Sequence, residues 1–269
     1  MNGSLFLKLG GSLLTDKTAV EMPRPDVLAR LAREIYQAWT AQPDLRLLLG
    51  HGSGSFGHVA GAKYGTRQGV QTAAQWHGFA EVGAAAARLN RLVTEALLAA
   101  GVAAVSLQPS ASAICIDGRI QSLAIEPVRA AVNARVVPVV YGDVAFDTAR
   151  GGTIISTEEV MMYLAEALPS AERPSWLLLA GETEGVYDLE GAVIPHITPA
   201  NFERIRPALG GSRGTDVTGG MASKVRGMLQ LTAAHPHLSI RIFSGLTPGT
   251  LAQVLAEPKT AVGTVVGNQ

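Results

Sequence analysis

At 269 residues the chain is long enough for one large α/β domain or two closely joined lobes, because single cores stop growing near about 250 to 300 residues. Hydrophobic residues make up 47% and charged residues 16%, a composition that excludes disorder and predicts a densely packed interior. Lys plus Arg (22) equals Asp plus Glu (22), so no global basic field exists to recruit nucleic acid or an anionic membrane, and a small-molecule partner is expected.

Cys115 is the sole cysteine, which excludes an intramolecular disulfide framework or a cysteine-based zinc cluster and fits a reducing compartment. The segment from Met1 to Lys8 meets a lysine and then glycines too early for the apolar core of a signal peptide. No later apolar run reaches the roughly eighteen residues of a membrane span, so a cytoplasmic location is expected.

In chain order, Leu5 to Leu9 reads as a buried strand that runs into Gly10-Gly11. Pro25 followed by Val27, Leu28, Leu31, Ile35 and Trp39 has helical spacing with proline in the first turn. Leu45 to Leu49 is a second buried strand, feeding the glycine-rich stretch from His51 to His58, so the N-terminus is a β-loop-α-β unit. A helix follows over Ala73 to Ala100, then strands over Ala103 to Leu107 and Val136 to Tyr141. Ser156 followed three residues later by Glu159 is a capping box that opens a helix over Glu158 to Leu168. Ser175 to Leu179 and Ile240 to Phe243 read as strands, and Met221 to His235 and Thr247 to Glu257 as helices. This alternation predicts a mostly parallel sheet covered on both faces, within a single domain whose two lobes meet near Pro169 to Pro174.

Three glycine-rich elements sit at the ends of these runs. Lys8-Leu9-Gly10-Gly11-Ser12 follows the first strand directly, and its glycines let backbone N–H groups approach a polyanion, with Lys8 and Lys17 adding positive charge. It lacks the G-x-x-x-x-G-K-[ST] spacing of a Walker loop. His51-Gly52-Ser53-Gly54-Ser55-Phe56-Gly57-His58 is a second anion cradle, in which the His58 imidazole can donate to a phosphate oxygen. The third runs from Gly214 to Met221 and leads into a helix, with Thr218 as its cap and Gly220 and Lys224 near its start, a natural site for terminal phosphates. Tyr141-Gly142-Asp143 and the segment from Glu182 to Asp188 set carboxylates and a glycine just beyond apolar runs. Each element alone is equally compatible with a tight turn or a capped surface helix.

In order, these segments resemble the amino acid kinase superfamily over nearly the whole chain. The stretches Lys8 to Ser12, His51 to His58, Ser106 to Ser110, Val137 to Val144 and Thr215 to Lys224 are most similar to its isopentenyl phosphate kinase family, with the histidine closing Gly-Ser-Phe-Gly-His as the sharpest marker. The resemblance implies a three-layer α/β/α fold, usually a homodimer. It places the acceptor, an isoprenoid monophosphate, in an N-terminal lobe of about residues 1–170 and ATP in a C-terminal lobe of about residues 171–269. It assigns Lys8, Lys17 and Lys224 to neutralising the transferring phosphoryl group, and Gly10, Gly11, Ser12, Gly54 and Gly220 to the nucleotide phosphates. Gly52, Ser53, Gly54, His58, Gly142 and Asp143 fall to the acceptor, Glu158 to orienting the lysines, and Glu182 and Tyr187 to the nucleotide.

No covalent intermediate is needed, since an ionised acceptor phosphate can attack the γ-phosphorus in line. Mg²⁺ is expected on the nucleotide phosphates, with no dedicated protein metal site. Ala73, Ala74, Phe79, Val82, Ala86 and Leu89 are expected on one helix as candidate lining for a prenyl pocket. The chain departs from the family where Ser-Gly-Asp becomes Ser156-Thr157-Glu158 and where Thr-Asp-Val-Asp-Gly-Val-Tyr becomes Gly181-Glu182-Thr183-Glu184-Gly185-Val186-Tyr187. Three aspartates thus become glutamates, and a glycine becomes Thr157. A kinase for another small phosphate or phosphonate such as fosfomycin, or a nucleotide-sensing relative without catalysis, are the alternatives.

Overall fold

Each apolar run predicted to be a strand is one, with boundaries moved by two residues at most. The computed structural model describes residues 4–16, 18–210 and 220–267, without the side chains of residues 58–60 and 62. In chain order it forms β1 (Ser4–Leu9), α1 (Gly11–Leu14), β2 (Thr15–Asp16), β3 (Met22–Pro23), α2 (Pro25–Ala41), β4 (Arg46–His51), α3 (Gly54–Tyr64) and α4 (Ala73–Ala99). There follow β5 (Ala104–Ser106), β6 (Ile114–Ile116), β7 (Arg119–Ser122), α5 (Glu126–Asn133), β8 (Val137–Tyr141), β9 (Asp143–Asp147), β10 (Gly151–Ile155) and α6 (Thr157–Ala167). The C-terminal part adds β11 (Pro174–Gly181), β12 (His196–Ile197), α7 (Pro199–Ile205), α8 (Gly220–Ala234), β13 (Ser239–Ser244), α9 (Thr250–Ala256) and β14 (Thr264–Val266).

Among the described residues the central sheet has the order β12-β14-β13-β11-β1-β4-β8-β5 and is parallel except where β13 meets β14. Its strands are apolar on both faces because helices cover both. Leu5, Leu7 and Leu9 of β1 pack with Leu31 and Ile35 of α2, Leu89 and Val93 of α4 and Leu251 of α9. Phe6 of β1 and Leu48 of β4 belong to the other core, with Val160 and Leu164 of α6 and Val225 and Leu229 of α8. Strand alternation therefore assigns even residues of β1, Lys8 included, to the α6–α8 side.

The helix signals behave as their chemistry dictates. Pro25 occupies the first turn of α2, and Ser156 accepts from the Glu159 N–H while Glu159 caps the Ser156 N–H at 2.6 Å. A second, four-stranded sheet in the order β10-β9-β6-β7 was not anticipated. Its strands β6 and β7 are short and mostly exposed, and the largely buried β9 and β10 interrupt their apolar residues with Asp143, Asp147, Gly151, Gly152 and Thr153, so no apolar run marks the sheet. Asp117-Gly118, both at positive φ (51° and 77°), nevertheless form the Asp-Gly hairpin turn between β6 and β7. Asp147 fixes this corner by accepting from the amides of Asp117, Gly118, Ala149 and Arg150.

The ends of β1 and β4 lie side by side, with Lys8 opposite Gly50 and Leu9 opposite His51. Beyond them the two backbones press together. A Cβ on Gly11 would lie 2.7 Å from the Cα of Gly54, and one on Gly52 would lie 2.8 Å from the Gly11 nitrogen. Gly54 also has φ +50°, which disfavours any side chain. The Gly52 N–H donates to Leu9 O at 2.9 Å, and Thr15 Oγ1 donates to Gly11 O at 2.8 Å while accepting from Ser55 N at 2.9 Å. A Gly11→Ala variant is expected to lose about 1 to 3 kcal/mol from overpacking against backbone that cannot retreat. The melting temperature should fall by several degrees in a calorimetric scan.

Candidate active site

All of these glycine contacts sit at the carboxyl ends of parallel strands, the edge where open α/β sheets bind ligands. The first two glycine elements are less loop and more helix than expected. Only Gly10 separates β1 from the helical turn Gly11–Leu14, and only Gly52 and Ser53 separate β4 from α3. The N-terminus of α3 therefore opens at this edge, as does that of α6, and helix N-termini present N–H groups and partial positive charge to anions.

Lys8 emerges from the end of β1 on the α6–α8 side, and its Nζ donates to Glu158 Oε1 at 2.5 Å, the two side chains being 15% and 23% exposed. Glu158 lies in the first turn of α6. Burial alone pushes its carboxyl up, but the charge and hydrogen bond of Lys8, together with the charge of Lys224 from α8, outweigh burial and hold it below its ordinary value. Three residues separated by up to 216 positions thus share one electrostatic site on one face of the sheet. Lys17 and the segment 211–219, including the predicted cap Thr218, lie outside the described residues, as does the side chain of His58. The backbone of His58 is in α3, four residues after Gly54.

The remaining predicted residues have definite places. Ser12 is half-buried in α1 beside Gly11, and Gly220 opens α8. Gly142 abuts the α6 N-terminus, where a Cβ would lie 3.3 Å from Thr157 N. Asp143 is buried, accepting from Ser110 N at 3.1 Å and Val144 N at 2.8 Å, and burial raises its pKa. Glu182, just past β11, pairs with Arg24 at 2.9 Å. The Tyr187 hydroxyl accepts from Glu184 N at 3.3 Å, and this segment is stitched to β14 by Val186 N donating to Thr264 Oγ1 at 2.8 Å. Of the proposed apolar stripe on α4, Phe79, Val82, Ala86 and Leu89 are buried, whereas Ala73 and Ala74 are exposed. Phe79 and Val82 join Val70 and Val144 in a small apolar cluster against the second sheet, and Leu89 belongs to the main core.

Thr15 and Arg24 carry no sequence signal of their own, and Thr157 stood out only as a lost glycine. Thr157 stands where the resembled family has glycine, and its Oγ1 donates to His51 O at 2.6 Å, tying α6 to β4. Its methyl group takes the space where Gly50 would carry a Cβ, which would lie 2.7 Å away.

Residues 4–244 match the model of the amino acid kinase family. The chain belongs to that family. An isopentenyl phosphate kinase of Haloferax volcanii is 38% identical over 92% of this chain and 97% of its own length. One from Methanocaldococcus jannaschii is 33% identical over 82% and 84% respectively. An X-ray structure of isopentenyl phosphate kinase superposes with a TM-score of 0.80 at 29% identity, covering 98% of this chain and 99% of its own. The amino acid kinase fold, a mostly parallel sheet between helical layers, is what both the pattern and the strand order describe.

The Lys8–Glu158 pair gives a pH signature. A carboxyl whose folded pKa is held below its ordinary 4.5 stabilises the folded state above that pH and loses the contribution as pH falls through the depressed value. Thermal melts of wild type and Glu158→Gln should therefore differ at neutral pH and converge in acid; a gap that is constant with pH would contradict the pairing.

Proposed function

We propose that this chain transfers the γ-phosphoryl group of ATP to the phosphate of isopentenyl phosphate, forming isopentenyl diphosphate. The observation that carries the reading is the meeting of Lys8, Glu158 and Lys224 beside the interlocked glycines of β1 and β4. The relatives that match at 33% and 38% identity favour this acceptor over a phosphonate such as fosfomycin.

In this reading Lys8 and Lys224 offset the charge spread over the transferring group, and Glu158 holds them at a fixed separation before substrate arrives. Positioning and charge neutralisation supply the rate, because the acceptor oxygen is already a competent nucleophile. Lys17 extends the cationic set, and His58 grips the acceptor phosphate. The Gly52–Gly54 segment and the α3 N-terminus offer it amide donors.

The hydrocarbon end of the acceptor finds apolar surface near by. Gly61, three residues beyond His58, approaches Ile154, which packs against the cluster of Val70, Phe79, Val82 and Val144. Glu182 and Tyr187 border the nucleotide in the C-terminal lobe. Mg²⁺ accompanies the nucleotide phosphates and supplies further charge neutralisation. Among the described residues no group of three His, Cys, Asp or Glu side chains is placed to hold an ion by itself, so the phosphates and water would provide most of its ligands. No helix among the described residues is long and apolar enough to cross a membrane. A cytoplasmic homodimer, with its lobes meeting near residue 170, completes the proposal.

Purified protein with Mg-ATP is expected to form ADP faster with isopentenyl or dimethylallyl phosphate than with fosfomycin, acetylglutamate or UMP. The reverse ranking would overturn the acceptor assignment. His58→Ala should act chiefly on the acceptor and Lys224→Ala chiefly on ATP, each costing roughly ten- to a hundredfold in kcat/KM, the worth of one charge-assisted hydrogen bond.

A further inference from the structure

The phosphoryl transfer proposed above makes no use of His51, yet this residue is built into the fold more completely than the side chains of Lys8 and Glu158. It ends β4 on the face opposite Lys8, the face that α4 covers, and it is 0% exposed. Both ring nitrogens are engaged. Nδ1 lies 3.1 Å from Gly52 O, and a carbonyl can only accept, so Nδ1 carries the proton. Nε2 lies 3.1 Å from Asn90 Nδ2 and accepts from it.

With Nδ1 protonated, Nε2 can only accept, so the Asn90 NH2 group faces the ring and its Oδ1 faces the Ser106 hydroxyl, which donates to it. Ser106 in turn opens the segment whose Ser110 N–H is held by Asp143. The imidazole also lies parallel to the Tyr141 ring, with centroids 5.5 Å apart and an interplanar angle of 7°. Burial lowers its pKa to about 4, so it is neutral at working pH.

In a trans peptide the C=O and the following N–H point in opposite directions. With Gly52 O drawn inward to a fixed imidazole, the Ser53 N–H is turned outward. We infer that His51 is a positioning residue which, as the neutral Nδ1–H tautomer held by Asn90, sets the plane of the Gly52–Ser53 peptide and aims the Ser53 amide at the acceptor phosphate. The class of ligand rests on the reaction proposed above; the tautomer and the peptide orientation do not.

Two measurements test this. In ¹⁵N-histidine NMR of the wild-type protein at neutral pH, the ring assigned to His51 by its through-space contacts with the stacked Tyr141 ring should be neutral and protonated at Nδ1. An Nε2–H ring or an imidazolium would overturn the inference without any variant having to fold. In kinetics, His51→Asn puts an amide nitrogen where Nδ1 stood and retains the donor to Gly52 O, whereas His51→Gln reaches only toward Asn90. Gln should raise KM for isopentenyl phosphate by about three- to tenfold, the worth of one hydrogen bond, with KM for ATP unchanged, and Asn should restore it. Equal KM values for the two variants, or parallel changes for both substrates, would refute the positioning role. Wild-type protein that shows the Nδ1–H ring but no turnover of isopentenyl phosphate would refute the reaction instead.

Discussion

The whole site depends on two backbones being allowed to touch. Gly11 after β1 and Gly52 and Gly54 after β4 approach within distances that no Cβ tolerates, and hydrogen bonds from Gly52 N and through Thr15 lock the approach. Amide donors from two strand ends can then lie within one anion's reach. The same contact sets the helices that follow, since α1 and α3 begin at these glycines.

Strand alternation distributes the chemistry around that contact. On β1 and β4, the residues facing α6 and α8 include Lys8 and Gly50; those facing α4 include His51. Charge collects on the first side, where Lys8, Glu158 and the field of Lys224 meet. The second side holds neutral polar groups, His51, Asn90 and Ser106, each satisfied by the next, as burial without charge compensation requires. Thr157 couples the sides, its hydroxyl reaching His51 O from the first turn of α6.

Much of this was legible in the sequence because its signals are local. Apolar runs gave the central strands, Pro25 and the Ser156–Glu159 pair gave helix starts, and the glycines marked strand ends. The second sheet was not legible, since Ile114–Ile116 and Arg119–Ser122 are too short and too exposed to carry an apolar pattern, and only Asp117-Gly118 betrayed a hairpin. Helix α3 was read as loop because glycines and a serine open it without an amphipathic stripe. In the site, Lys8 and Glu158 were found from motif order, while Thr157 was noted only as a missing glycine. His51 was read only as the first residue of the second anion cradle. Parity would have placed it: counting from the buried Leu47 and Leu49 puts it on the α4 face, against a helix that carries an asparagine in its apolar stripe.

The division of labour between the two faces of the sheet bears on how such an enzyme diversifies. Changes at sites without shared partners tend to combine additively. Phe79, Val82 and their neighbours on α4 do not belong to the Lys8–Glu158 cluster, so substitutions in that apolar cluster are free to accumulate without retuning the charged one. Asn90 on the same helix is the exception, because its amide is shared between His51 of β4 and Ser106 of β5, and a change there leaves two polar partners unmet at once.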